Sequence, residues 1–224
     1  NMGQAGRLGR YPLHFHMSEC VHGSTLAKNV IYKSNQRCAV IHGSHNVTVA
    51  DNVAYDTKGH CFMLEDGGEW DNSFIGNLGA LTKALPSCTP RCGETDARPS
   101  TFWITNPANH WIGNVAAGSR GMGFWFELKL RAPGSTLQIN QGFSPKSQRL
   151  GTFDDNIAHS NRERAGITTY ESGYKAPGGT KWHNIRVYKN RGSGLFQHGT
   201  SNIHMIGGLL ADNSRNARNF HHDK

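Results

Sequence analysis

An asparagine followed by apolar residues recurs along the chain, at Asn29 (NVIY), Asn52 (NVAY), Asn77 (NLGA), Asn114 (NVAA), Asn156 (NIAH) and Asn184 (NIRV). The intervals are 23, 25, 37, 42 and 28 residues, and Gly207 takes up the register 23 residues later. Self-similarity at such a period marks a solenoid, in which each repeat buries its apolar face only by stacking on its neighbours. Three intervals match one coil of a β-helix. The two long ones bracket insertions at about residues 81–100 and 129–150, both rich in turn formers. At a tight corner an asparagine can take a left-handed backbone, and stacked carboxamides can hydrogen-bond from coil to coil. These asparagines therefore read as structural.

A second set of segments aligns with the first: residues 13–17 (LHFHM), 39–43 (AVIHG), 62–66 (FMLED), 102–106 (FWITN), 124–128 (FWFEL), 167–171 (ITTYE) and 195–199 (LFQHG). Side chains alternate across a strand, so Phe15, Ile41, Leu64, Ile104 and Phe126 are expected to point inward as one apolar ladder. One outward row then reads His16, His42, Glu65, Thr105, Glu127, Tyr170 and His198, and the other reads His14, Val40, Met63, Trp103, Trp125, Thr168 and Phe196. The expected fold is all-β, a right-handed parallel β-helix of about seven coils forming a single domain over residues 1–224.

Composition agrees with short strands and turns rather than one bulky core. Only 36% of the residues are hydrophobic, glycine numbers 27, the mean hydropathy is −0.57, and no run keeps helical apolar spacing over several turns. The formal net charge of +8 suits a polyanionic partner. The basic residues are scattered and no zinc finger, helix-turn-helix or ribonucleoprotein motif is present, which argues against nucleic acid. No apolar run approaches the ~18 residues of a membrane span, and the opening NMGQAGRLGR lacks a signal-peptide core, as if the chain began in mid-protein.

Five cysteines cannot all pair within the chain. Cys88 and Cys92 lie in a loop-like stretch and either close a small disulfide ring or remain free thiols. Asn46-Val47-Thr48 is a glycosylation sequon. Together these lean towards an extracellular setting.

Candidate chemistry sits on the two outward rows. Trp103 and Trp125 are expected to stack as an aromatic platform for a sugar ring, with a buried side core as the alternative. Arg10, Asn106, Tyr170 and His198 join them as candidate glycan contacts. His16, His42, Glu65, Asp66 and Glu127 are the residue types that acid–base chemistry needs. Glu65 and Glu127 fall two coils apart, about 9.6 Å between backbones, from which rotation of the side chains can reach the ~5–9.5 Å separation of glycosidase carboxylates. His14, His16 and His42, with Glu65 beside them, also form a candidate site for zinc or another divalent ion. A hydrogen-bonded histidine stack is the plainer reading of the same cluster.

The motifs GRLGRYPLHFH (6–16), VIHGSHN (40–46), GHCFMLEDG (59–67), STFWITNP (100–107), GFWFE (123–127) and NIAHSN (156–161), in this order, resemble a known family. Its members include the cell migration-inducing hyaluronan-binding protein, its transmembrane cell-surface relative and fibrocystin-L. The resemblance covers most of residues 6–171, with His14, His16, Glu65, Asp66, Asn106 and Pro107 on the matching motif positions. It implies the parallel β-helix that follows a G8 domain in large extracellular or cell-surface proteins, flanking domains of the same protein as partners, and an acidic polysaccharide such as hyaluronan. Residues 1–224 themselves hold no recognisable G8 module, and the stretch after Glu171 covers less than the corresponding vertebrate region. Fibrocystin-L shares the motifs without an accepted glycosidase role. Three readings stay open: a domain that binds and depolymerises an acidic polysaccharide with no required cofactor, a non-catalytic glycan-binding or adhesion module, and a divalent-metal site on the histidine-rich face.

Overall fold

The computed structural model describes residues 2–85 and 95–220. It is a parallel β-helix with three sheets running along its axis. The first sheet has eight strands, in spatial order Leu13–Cys20, Ala39–His45, Phe62–Leu64, Ser100–Ile104, Met122–Phe126, Ala165–Thr168, Ser193–His198 and Arg215–Phe220. The second and third have seven each, starting at Thr25–Ala27 and Val30–Tyr32. All the expected segments fall in or run on from the first sheet; Arg215–Phe220 adds one beyond the expected seven coils. Several strands are shorter than expected, so Glu65, Asp66, Thr105, Asn106 and Glu127 lie just past their strand ends.

The register agrees with the alignment read from alternation. Phe15 pairs with Ile41 and Ile41 with Leu64, while Trp103 pairs with Met63 and Trp125. Inside, identical positions stack ring on ring: Phe62–Phe102 at 5.0 Å, Phe102–Phe124 at 4.5 Å and Phe74–Trp111 at 4.1 Å. These rings are fully buried, and each contributes roughly 1.5–3 kcal/mol through removal from water.

The asparagine ladder runs through Asn29, Asn52, Asn77, Asn114 and Asn156, each Nδ2 donating to the Oδ1 of the next at 2.9–3.1 Å. The left-handed residue at each corner is the one before the asparagine, namely Lys28, Asp51, Gly76, Gly113 and Asp155. Asn184 is the exception. It occupies that left-handed position, donates to Asp155, and leaves the ladder place to the buried Ile185. A second ladder, Asn161–Asn190–Asn213, continues the same device at another corner.

Cys38 and Cys61 form a disulfide between equivalent positions of adjacent coils. Cys20 is free and exposed, and Cys88 and Cys92 lie outside the described residues. The insertion at 129–150 is not all turns, since it carries a short helix, α1 (Gly134–Ile139), and a 3-10 turn, Pro145–Ser147. Among the described residues no helix is long and apolar enough to cross a membrane. The Nδ2 atom of Asn46, the first residue of the sequon, is buried without a hydrogen-bond partner.

Candidate functional site

The first three coils bring His14, His16, His42 and Glu65 together on the outer face of the first sheet. His16 pairs with His42 in register, and its ring stands edge-on to both His14 and His42, at 5.1 and 4.8 Å. Glu65 follows on the next coil. One of its oxygens, Oε1, is held from behind: Tyr11 donates its hydroxyl at 3.2 Å, and the Arg37 guanidinium lies at 3.6 Å. The other, Oε2, faces His14 Nε2 at 3.9 Å and His42 Nδ1 at 3.8 Å, too far for hydrogen bonds.

The far side of each imidazole decides what the near side offers. Nδ1–H of His14 donates to the Gly9 carbonyl at 3.0 Å, so Nε2 presents a lone pair in the neutral ring. Nε2–H of His42 donates to Asp66 Oδ2 at 3.1 Å, which leaves Nδ1 as the free acceptor. Both His14 Nε2 and Glu65 Oε2 are buried without a partner. Among the described residues, three electron-pair donors thus lie within 4.8 Å of one another. Burial holds the His14 pKa below the usual imidazole range, while the Asp66 hydrogen bond raises that of His42.

Asp66 stands behind the site rather than in it. Burial would push its carboxyl up, but hydrogen bonds from His42 and Ser135 outweigh this and hold it below the ordinary value. Oδ2 accepts from Ser135 N at 2.7 Å and Ser135 Oγ at 2.5 Å. This grip pins the start of α1 over the EDGG segment, and only glycine allows the approach. A Cβ at Gly68 would lie 2.0 Å from Thr136 Oγ1, and one at Gly134, whose φ is +61°, would lie 2.3 Å from Asp66 Oδ1. Glu69 is fully buried and accepts the backbone N–H of Gly43, Asp66 and Gly67. It shapes the loop that presents Glu65 and Asp66.

The expected tryptophan platform is corrected by burial. Trp103 and Trp125 are neighbours in register as the alignment requires, their rings meeting edge-on at 4.8 Å, but they are 5% and 2% exposed. With Tyr11, Val40, Met63 and Met122 they form a second apolar core outside the sheet. His60 covers Trp103 with ring centroids 3.9 Å apart, and Trp125 Nε1–H donates to the Tyr170 carbonyl. No sugar ring can stack on either indole in this arrangement.

The remaining candidates lie apart from the histidine cluster or serve the backbone. Glu127 continues the row two coils beyond Glu65, is nearly buried, and pairs with Lys129. Asn106 is buried, its Oδ1 accepting Ala108 N in a turn. Tyr170 and His198 pack edge-on at 5.3 Å further along the row, with Arg164 over the Tyr170 ring. Arg10 is exposed, donates to Gln4, and follows the glycine that orients His14. Tyr11, Arg37, Glu69 and Ser135 were missed. For Glu69 the signal was a carboxylate directly after two glycines; Arg37 and Tyr11 gave none.

The family described as CEMIP beta-helix matches residues 1–166. The chain belongs to this family. It is similar to the human cell surface hyaluronidase CEMIP2, 36% identical over 72% of this chain and 14% of that protein. It is also similar to mouse fibrocystin-L, at 35% identity over 70% of the chain and 4% of that protein. Communication mutant protein F of Dictyostelium discoideum is 32% identical over 96% of the chain and 23% of its own length. The chain therefore spans less than a quarter of the length of each of these relatives.

Proposed function

We propose that this chain is the glycan-recognising β-helix of an extracellular or cell-surface protein, and that it binds and depolymerises an acidic polysaccharide such as hyaluronan at a divalent ion held by His14, His42 and Glu65. The observation that carries this reading is the convergence of three donor atoms, two of them (His14 Nε2 and Glu65 Oε2) buried without a hydrogen-bond partner, with each ligand held from behind. Imidazoles oriented through their second nitrogen by a carbonyl or a carboxylate are the usual support of a metal ligand. Three protein ligands with the remaining positions open is the arrangement of a catalytic rather than a structural ion. The name of the human relative, the net charge of +8 and the inter-coil disulfide agree with an acidic glycan and an oxidising compartment.

Held by His14, His42 and Glu65, a divalent ion would supply a Lewis acid for the glycan carboxylate. Tyr11 and Arg37 keep Glu65 Oε2 turned towards His14 and His42 by engaging its other oxygen. His16 is exposed and touches both liganding rings without being held by them, so it is the group placed to exchange a proton with substrate.

A second reading, glycan binding without cleavage, is favoured by the pairing of Glu127 with Lys129, which leaves Glu65 without a free carboxylate partner on its row. Incubating the protein with hyaluronan of defined length, with calcium, zinc or manganese and with chelator, separates the two. Shortening that chelator stops supports cleavage, and retention without shortening supports the binding module. Neither retention nor shortening under any of the metals would overturn both.

A further inference from the structure

Beside the histidine cluster lies a solvent-open cavity of about 340 Å³ between α1 and the ends of the first two strands of the first sheet. Its lining is mainly apolar, including Met17, Trp70, Ile139 and Phe143, with Glu19 and His45 among its polar groups. We propose that this cavity is a subsite for a neutral pyranose unit of the same polysaccharide, with the Trp70 indole as its stacking platform. The inference rests on the reading that an acidic glycan engages the adjoining site.

Three observations at Trp70 carry it first. Trp70 is 40% exposed, whereas the other four tryptophans are buried. Its ring is fixed by stacking on His45 at 4.8 Å and an interplanar angle of 19°. His45 Nδ1 accepts the backbone N–H of Trp70 at 3.2 Å, so the neutral ring carries its hydrogen on Nε2. An immobilised aromatic face with a few polar groups around it is what a sugar ring recognises, apolar C–H faces on the ring and hydroxyls on the rim.

The chain is also locally distorted to build this cavity. The pairing of the first two strands shifts register between His16 and Glu19, and Met17 and Glu19 both take left-handed φ values of 51° and 54°. Such bulges re-aim side chains beside functional sites. Here they turn both residues into the cavity wall. Met17 lies across Gly43, where a Cβ would come within 2.6 Å of its sulfur.

Continuity and charge then select the occupant. Ser135 lines the cavity and also hydrogen-bonds His42 and Asp66, and Gly43 in its wall follows His42 directly. A chain bound at the histidine cluster therefore has its next unit at the mouth of the cavity. Glu19 disfavours a second carboxylate there while accepting hydroxyl hydrogen bonds. A polysaccharide that alternates uronate with a neutral sugar meets both demands at once.

The test uses titration of hyaluronan oligosaccharides of even length into the full chain and into Trp70→Ala, Trp70→Phe and His42→Ala. Trp70→Ala should weaken oligosaccharide binding about tenfold or more, Trp70→Phe should restore most of it, and neither should change divalent-ion binding. Oligosaccharide should also protect the only exposed indole of the wild type from acrylamide quenching, a readout that needs no variant. Unchanged affinity in Trp70→Ala together with loss in His42→Ala, or quenching unaffected by bound oligosaccharide, would overturn the subsite and leave the adjoining site standing. Absence of oligosaccharide binding by the wild type with metal present would overturn the subsite together with the reading it rests on.

Discussion

The Nε2 atom of His14 stands 3.9 Å from Oε2 of Glu65, and both atoms are buried without a hydrogen-bond partner. Two acceptors facing each other across that gap, with a third from His42, are the donor set proposed to hold a cation. The orientation depends on groups that never enter the gap. Asp66→Asn keeps the size of the side chain but weakens the acceptor behind His42 and the grip on α1. It should lower divalent-ion affinity about 10–100-fold with the fold retained, as read by calorimetric titration; unchanged affinity would show that Asp66 does not orient the ligand.

The asparagine ladder should be the most sensitive polar feature of the fold. Asn77 is fully buried, accepts from Asn52 and donates to Val49 and Asn114. Asn77→Ala leaves those groups unpaired and should cost about 3 kcal/mol or more in urea unfolding. A loss below about 0.5 kcal/mol, the size of an ordinary surface substitution, would mean that water or relaxation satisfies the corner.

Trp103 should behave as core. Trp103→Ala is expected to destabilise the chain by about 3–5 kcal/mol, whereas Trp70→Ala should change the unfolding midpoint little. Equal, small effects in thermal unfolding would indicate that the indole of Trp103 is not packed as described.

His60 links stability to acid. Burial lowers its pKa from 6.5 to about 3, against the opposing pull of Asp96. Its neutral ring bridges Ser100 and Thr95. Because the folded-state value is depressed, the unfolded chain takes up the proton first. The stability tied to His60 is complete above about pH 6.5 and is lost as the pH falls towards 3, up to a few kcal/mol, ~1.4 per unit. Unfolding free energies between pH 7 and pH 4 should fall less steeply in His60→Gln than in the wild type. Parallel slopes would contradict a neutral buried His60.

The repeat and the strand faces were legible because both depend on spacing alone. Asn52 to Asn77 reports the coil length, and alternation from Phe15 to His16 reports the face, whatever covers it. The disulfide was legible by the same rule and was missed: Cys38 and Cys61 are 23 residues apart, the interval of Asn29 and Asn52. The burial of Trp103 was not legible, since it depends on Tyr11 and His60 folding over the sheet, contacts that no period encodes. Nor was the place of α1, six residues without a side-chain cap, which is fixed by two glycines and by Asp66. The histidine and carboxylate cluster was readable as residues sharing a face, while the direction of each lone pair required Gly9 and Asp66.

Metal stoichiometry tests the proposed site most directly. Metal-stripped wild-type protein titrated with calcium, zinc and manganese, with ion content confirmed by elemental analysis, should take up one equivalent of at least one of these ions. His14→Ala, His42→Ala and Glu65→Gln should each abolish that uptake while their circular dichroism matches the wild type. No stoichiometric uptake of any of the three ions by the wild type, or uptake that survives all three substitutions, would contradict a metal-centred site at His14, His42 and Glu65.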